Sequence, residues 1–203
     1  MARRLAIFGG TFNPIHRGHV EVARAALDEL LLQEQILIPS AVPPHKAATD
    51  LASGEDRLAM CQLAVRDEPR IAVSDIELRS PPPSYTVNTL RVLCREHPET
   101  ELLLLIGADM LQDFHLWHRY KEILELARLL TFPRPGVALG PLNELRAAVG
   151  DTTVDRILAD ALHTPLVDVN STEIRRRVKA GLSISDLVPA VVEHYIRDHG
   201  LYA

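Results

Sequence analysis

Ala6 to Val20 reads AIFGGTFNPIHRGHV: the tail of a short apolar run, a glycine pair, an aromatic, a proline, and two histidines three residues apart where the next helix is due to begin. The run LAIF, Leu5 to Phe8, predicts a buried strand. Gly9 and Gly10 let the backbone approach a ligand closely, Pro14 stiffens the turn, and a helix starting near Gly18 brings unpaired N–H groups to the same point. That is the make-up of an anion cradle. His16 and His19 then share a helix face and can both donate to one oxygen-rich group, with charge assistance if protonated. Taken alone, the pair also suits two surface or capping histidines.

Outward from this stretch, short apolar runs alternate with longer helical patterns, which predicts a parallel sheet covered by helices. Val20, Ala23, Leu27, Leu30 and Leu31 recur at helical spacing, and ILIP (36–39) gives a second strand. The segment 40–54, with VPPHK at its centre, is too long for a plain connector and predicts a functional loop. A helix over about Glu55 to Asp67, a strand at IAVSDIEL (71–78), a stiff SPPPSY turn (80–85) and a helix from near Thr86 follow. ELLLLIG (101–107) predicts a central strand, because a parallel strand buried on both faces reads as continuous apolar residues. LLTFPRPG (129–136) and PLVDVN (165–170) predict two further strands, the last running into a helix at STEIRRRVKAG. Residues 137–163 are helical in character without clear boundaries. The expected architecture is α/β: a Rossmann-like, doubly wound parallel sheet in a single domain over 1–203, with a helical C-terminal extension over about 171–203.

The chain has 203 residues, 47% of them hydrophobic and 24% charged, with a formal net charge of −5. That length supports one domain burying roughly 70% of its unfolded surface. The negative balance argues against a general nucleic-acid partner, which needs a basic face to displace counterions. Cys61 and Cys94 fall in helical patterns and predict packing in a reducing cytoplasm instead of a disulfide. The apolar run at the start is too short for a secretory signal and ELLLLIG too short to span a bilayer, so neither export nor a membrane partner is expected. Oligomeric state is left open.

Other unusual residues also fall at predicted strand ends, where open α/β sheets bind ligands. In VNSTEIRRRV (169–178), Ser171 or Thr172 can cap a helix, and Arg175 lies one turn on, forked for phosphate oxygens. Asp109 at the end of ELLLLIG can accept from a ribose hydroxyl. Trp117 offers either a flat face to an aromatic ring or a piece of core. Arg134 sits between prolines in a rigid turn. A dinucleotide-binding dehydrogenase needs G-x-G-x-x-G and an acid after the second strand; GGTFNP and IPS supply neither. A metal pair at His16 and His19 has no third ligand nearby in a recognisable pattern, so no protein metal site is expected.

Together these stretches resemble one group of enzymes. GGTFNPIHRGH is similar to the GxFxPxHxGH signature of the nucleotidyltransferase superfamily, and NSTEIR to its second signature, ISSTxIR. PPHK, SYTVNTL, IGADML followed by Trp117, and RPG resemble the bacterial nicotinate-nucleotide adenylyltransferases, from Arg4 to the closing LVPAVVEHYIRDHGLY, with only about 137–163 lacking a counterpart. The resemblance implies adenylyl transfer from ATP to nicotinate mononucleotide, with magnesium riding on the ATP phosphates and no covalent intermediate. It implies catalytic roles for His16, His19 and Arg175; an ATP site at Gly9, Gly10, Thr11, Phe12, Gly18, Asp109, Ser171 and Thr172; and an acceptor site at His45, Lys46, Thr86, Trp117 and Arg134. The chain departs from the pattern at Asn13, Arg17 and Asn170, where relatives often carry Asp, smaller or aromatic residues, and Ser. Another adenylyl- or cytidylyltransferase, such as the phosphopantetheine enzyme, and a non-catalytic nucleotide-binding regulator remain the alternatives.

Overall fold

The computed structural model describes residues 3–41 and 51–203. Five parallel strands form one sheet in the order β3-β2-β1-β4-β5: β1 (Arg3–Gly10), β2 (Gln35–Pro39), β3 (Ile71–Val73), β4 (Thr100–Gly107) and β5 (Arg128–Phe132). The central pair β1 and β4 is buried along LAIF and LLLLIG, as strands covered on both faces must be. In register, Phe8 faces Leu105, Gly10 faces Pro39 and Gly107 faces Phe132. Chain order reverses between β1 and β4, so their C-terminal ends flank the crevice in which a doubly wound sheet takes its ligand.

The helices divide between the two faces. On one side α1 (Arg17–Glu29), α2 (Gly54–Val65), α8 (Ser171–Lys179) and α9 (Ala190–Asp198) close over Ala6, Phe8, Leu37, Leu103, Leu105 and Phe132. On the other, α3 (Thr86–Glu96), α4 (Ala108–Gln112), a 3-10 turn at Phe114–Leu116, α5 (Tyr120–Leu126), α6 (Asn143–Val149) and α7 (Asp151–Ala159) cover Leu5, Ile7, Leu102, Leu104 and Leu129. Alternate residues of each strand thus feed opposite cores, the period-two rule of the pleat. Among the described residues, no helix is long and apolar enough to cross a membrane.

Two expected strands are corrected. IAVSDIEL pairs with β2 only over Ile71–Val73. Beyond it residues 75–80 curl into turns, with the Arg79 amide donating to the Asp75 carbonyl and the Ser80 hydroxyl to the Ile76 carbonyl, and Leu78 packs on Gly54 at the start of α2. PLVDVN forms no strand at all. The Leu162 amide bonds to the Thr131 carbonyl at the edge of β5, after which the chain crosses to the first signature loop, where Val167 packs on Gly18. The stretch 137–163 resolves into α6, which buries Leu145, and α7, which buries Val154 and Ile157.

Ile174, Ile184, Val188, Val192 and Ile196 belong to the same apolar cluster as Phe8, Leu37, Leu105 and Phe132 of the sheet. Ending the chain at Leu182 removes four of them and uncovers α2, so the shortened protein is expected to lose its cooperative thermal transition, measured by circular dichroism. A sharp transition at the full-length temperature would show that the sheet is independent of its C-terminal helices.

Candidate active site

The turn after β1 is shaped by steric exclusion. A Cβ at Gly10 would stand 3.0 Å from Cζ of Phe12, whereas one at Gly9 would meet no protein atom within 4 Å. Gly10 therefore makes room for a ring, and Gly9 leaves the strand end open on the crevice. Phe12 has φ +46°, a left-handed conformation that costs a bulky residue roughly 1–3 kcal/mol and persists only where its surroundings impose it. Its ring stands edge-on to Phe8, 5.6 Å between centroids, and to His19, at 5.0 Å.

His16 is the N-cap of α1 and His19 its third residue, and each imidazole caps the other's backbone. The His19 amide donates to His16 Nδ1 at 3.4 Å and the His16 amide to His19 Nδ1 at 3.3 Å. This is a capping box built from histidines. Because both Nδ1 atoms accept, each neutral ring carries its proton on Nε2 and directs that N–H away from the helix. The rings stack, 3.6 Å between centroids. His16 is 2% exposed. Burial, assisted by the positive charge of Arg134, pushes its pKa down to about 3, so it acts as a neutral donor and the charge assistance allowed by the sequence does not apply to it. Gly18 accommodates the His16 ring, whose Nδ1 lies 3.2 Å from a Cβ placed there.

The second signature docks on the first. Asn170, not Ser171 or Thr172, caps α8, its Oδ1 accepting from the Glu173 amide at 2.9 Å. The cap needs non-helical backbone, which Asn170 adopts; Ser171 is already helical, and its hydroxyl donates instead to the Pro14 carbonyl at 2.9 Å. Arg175 donates to the Asn13 carbonyl at 2.9 Å and approaches Thr172 Oγ1 at 3.5 Å, while its buried Nε has no partner among the described residues. Arg176 and Arg177, by contrast, pair with Glu173 on the solvent side.

Across the crevice, Asp109 lies in the first turn of α4 and meets Arg134 at 3.6 Å. Gly107 permits this approach, since a Cβ there would collide with the Asp109 carboxylate. Arg134 opens a type II turn in which Pro135 and Gly136 (φ +73°) occupy the centre and the Val137 amide returns to the Arg134 carbonyl. Thr86 is the first residue of α3, whose N-cap, Tyr85, supplies no side-chain bond and instead stacks on His118 at 4.2 Å. Trp117 follows the 3-10 turn, half-buried and tilted against Phe114 at 5.3 Å, so it contributes to the core with one part and leaves another on the surface. Thr11 and Thr172 sit at the two signature loops; His45 and Lys46 lie outside the described residues.

Sequence reasoning missed the groups beneath the signature loop. Arg57 is 1% exposed, and its guanidinium donates to the carbonyls of Thr11, Ser40, Ala41 and Ala52. The Asn13 side chain accepts from the Ala52 amide and the Tyr202 hydroxyl. A signal for Arg57 existed: it stands three and four residues before Met60 and Cys61, on the apolar stripe of α2.

The cytidylyltransferase-like family profile matches residues 7–177. A protein of Synechococcus sp. (strain JA-3-3Ab), named as a probable nicotinate-nucleotide adenylyltransferase, is 42% identical over 202 residues, spanning 98% of this chain and 95% of its own. One of the same name from Thermomicrobium roseum is 43% identical over 199 residues, spanning 98% and 91%. Among solved structures, the nicotinic acid mononucleotide adenylyltransferase of Plasmodium falciparum complexed with NaAD matches with a TM-score of 0.78 at 17% identity, over 98% of this chain and 97% of that one, a likeness of fold. A chain so matched along almost its whole length, and carrying both signatures in contact, belongs to the cytidylyltransferase-like family and, within it, to the nicotinate-nucleotide adenylyltransferases.

Proposed function

We propose that this protein joins the adenylyl group of ATP to nicotinate mononucleotide, forming deamido-NAD and releasing pyrophosphate. The observation that carries the reading is the reciprocally capped pair His16 and His19, held with both Nε2–H groups directed away from α1, on the turn that the guanidinium of Arg175 also meets. Such a set is built for oxyanions. In the transfer, a 5′-phosphate oxygen of the acceptor attacks the α-phosphorus, a new P–O bond forms, and the bond to the bridging oxygen of pyrophosphate breaks with its electron pair. No enzyme nucleophile is needed; the protein aligns two anions and neutralises the charge that develops.

Roles follow from position. Gly9 and Gly10 with the start of α1 receive the phosphates, His19 the transferred group, His16 a neighbouring oxygen, and Arg175 with the N-terminal turn of α8 the departing pyrophosphate. Asp109 serves a ribose hydroxyl. On the acceptor side, the first amides of α3 at Thr86 suit a carboxylate, Trp117 the pyridine ring, and Arg134 a phosphate within reach of the His16 environment. Among the described residues no three His, Cys, Asp or Glu side chains gather into a metal-binding group. The donor set fits magnesium carried in on ATP and held by phosphate oxygens and water; when bound, it neutralises phosphate charge. Both cysteines are free thiols, in keeping with the reducing cytoplasm in which we place the reaction.

Pyrophosphate release from ATP with nicotinate mononucleotide, nicotinamide mononucleotide and phosphopantetheine tests the proposal. The nicotinate compound is expected to exceed the amide at least about tenfold in kcat/KM, or ~1.4 kcal/mol, since the two differ by a full charge in a partly dry pocket. Equal use of the amide, or turnover with phosphopantetheine alone, rejects it.

For His19→Ala, kcat is expected to fall by about 10²–10³ with a smaller change in KM for ATP, because its donation strengthens as charge builds on the leaving group. His16→Ala should show a larger share of its defect in KM. Near-normal turnover by folded His19→Ala would remove the pair from the mechanism.

Trp117→Ala should raise KM for the acceptor, a loss of roughly 1–3 kcal/mol by analogy with base stacking on aromatic rings, and leave that for ATP nearly unchanged. A lower melting temperature with both KM values intact would instead assign the indole to the core.

A further inference from the structure

Arg57 is the most deeply buried cation of the described chain, and no carboxylate among the described residues pairs with it. Its fork is satisfied by backbone carbonyls from three separate places: Thr11 at 2.8 Å, Ser40 and Ala41 at 2.6 and 3.0 Å, and Ala52 at 3.1 Å. A buried charge is tolerated only when it is hydrogen-bonded so completely. A lysine at this position would carry three donors on a single atom and could not span four carbonyls on separate segments.

One of these bonds reaches the chemistry. The Thr11 carbonyl belongs to the peptide that leads into Phe12, the residue held at φ +46°. Anchoring that carbonyl fixes the plane of the peptide and opposes relaxation of Phe12 toward ordinary backbone. Phe12 in turn places its ring edge-on to His19 at 5.0 Å, in space that Gly10 leaves free. A continuous path of contacts therefore runs from α2, through a strained peptide, to the imidazole that faces the transferred group. The Asn13 side chain, held by the Ala52 amide and the Tyr202 hydroxyl, secures the next residue of the same turn.

We propose that Arg57 is a positioning residue for adenylyl transfer, acting on His19 through the Thr11–Phe12 peptide and the Phe12 ring. The proposal rests on the reading of the site given above and adds to it a residue that touches no substrate.

The test uses the full chain with Arg57→Lys, Phe12→Leu and the double variant, at a temperature where each is folded by circular dichroism. Arg57→Lys is expected to lower kcat about 10- to 100-fold, the scale of a small misplacement of a catalytic group, with KM for both substrates within about twofold. The double variant should lose no more than Phe12→Leu alone, since both act along one path. In NMR spectra the His19 imidazole signal, assigned with His19→Gln, should move in Arg57→Lys toward its position in Phe12→Leu. A merely structural role predicts a lower melting temperature with wild-type kcat and an unmoved His19 signal; that result, or additive losses in the double variant, overturns the proposal. Should Arg57→Lys not fold, Phe12→Leu decides: wild-type kcat with an unmoved signal overturns the linkage, and a lowered kcat with a shifted signal supports it. Failure of the wild-type protein to use nicotinate mononucleotide would count against the proposed reaction, while the His19 signal would still decide the role of Arg57.

Discussion

Two backbone–imidazole bonds, His19 amide to His16 Nδ1 and His16 amide to His19 Nδ1, organise the rest of the site. They satisfy N–H groups that every helix start leaves unpaired, they stack the rings, and they determine which nitrogen of each ring carries the proton. A Ser or Asp cap would hold α1 equally well. It would not leave two ring N–H donors directed away from the helix. In the proposed reaction, capping and catalysis are thus the same set of bonds, which gives His16 a chemical purpose although it is buried and neutral.

Around this pair the protein spends much of its buried polar bonding on one turn. Residues 11–14 are held by α8 through Ser171 and Arg175, by α2 through Arg57, and by Tyr202, which follows α9. Each bond reaches a main-chain carbonyl or the Asn13 amide oxygen, and none needs a charged partner on the turn. Asn13 in place of Asp is consistent with that: its Oδ1 accepts from two donors, and no negative charge is added at the turn to which we assign the nucleotide phosphates. The C-terminal helices share a core with the sheet, so the chain must be folded almost to its end before the turn is fully braced.

The two halves of the crevice differ in character. The α1 and α8 side is polar, with its donors fixed by hydrogen bonds, as suits a triphosphate. The α3 side combines the open N-terminus at Thr86, the Tyr85–His118 stack and the half-buried Trp117, as suits a flat, charged ring. Asp109 and Arg134 stand between them past the ends of β4 and β5, paired at 3.6 Å.

Much of this was legible in one dimension. Continuous apolar runs at LAIF and LLLLIG identify central strands because burial on both faces removes the need for alternation, and the glycines, proline and paired histidines identify the cradle because their chemistry is local. PLVDVN misled for the converse reason: its Val167 and Val169 are only half-buried and Leu166 is exposed, and alternating apolar residues on an extended segment resemble a strand until the hydrogen-bond partners are known. Local pattern likewise named Ser171 as a cap when Asn170 holds the required backbone angles. Arg57 and Tyr202 lay beyond it altogether, since their partners are carbonyls and an amide oxygen up to 189 residues away in the chain, and a backbone carbonyl has no letter in the sequence. Composition and spacing determined the central strands, the cradle and the residue types that can meet phosphate; only the tertiary structure decided which nitrogen of each histidine accepts from the helix backbone and what holds the turn in place, because hydrogen bonds to the main chain leave no periodic trace.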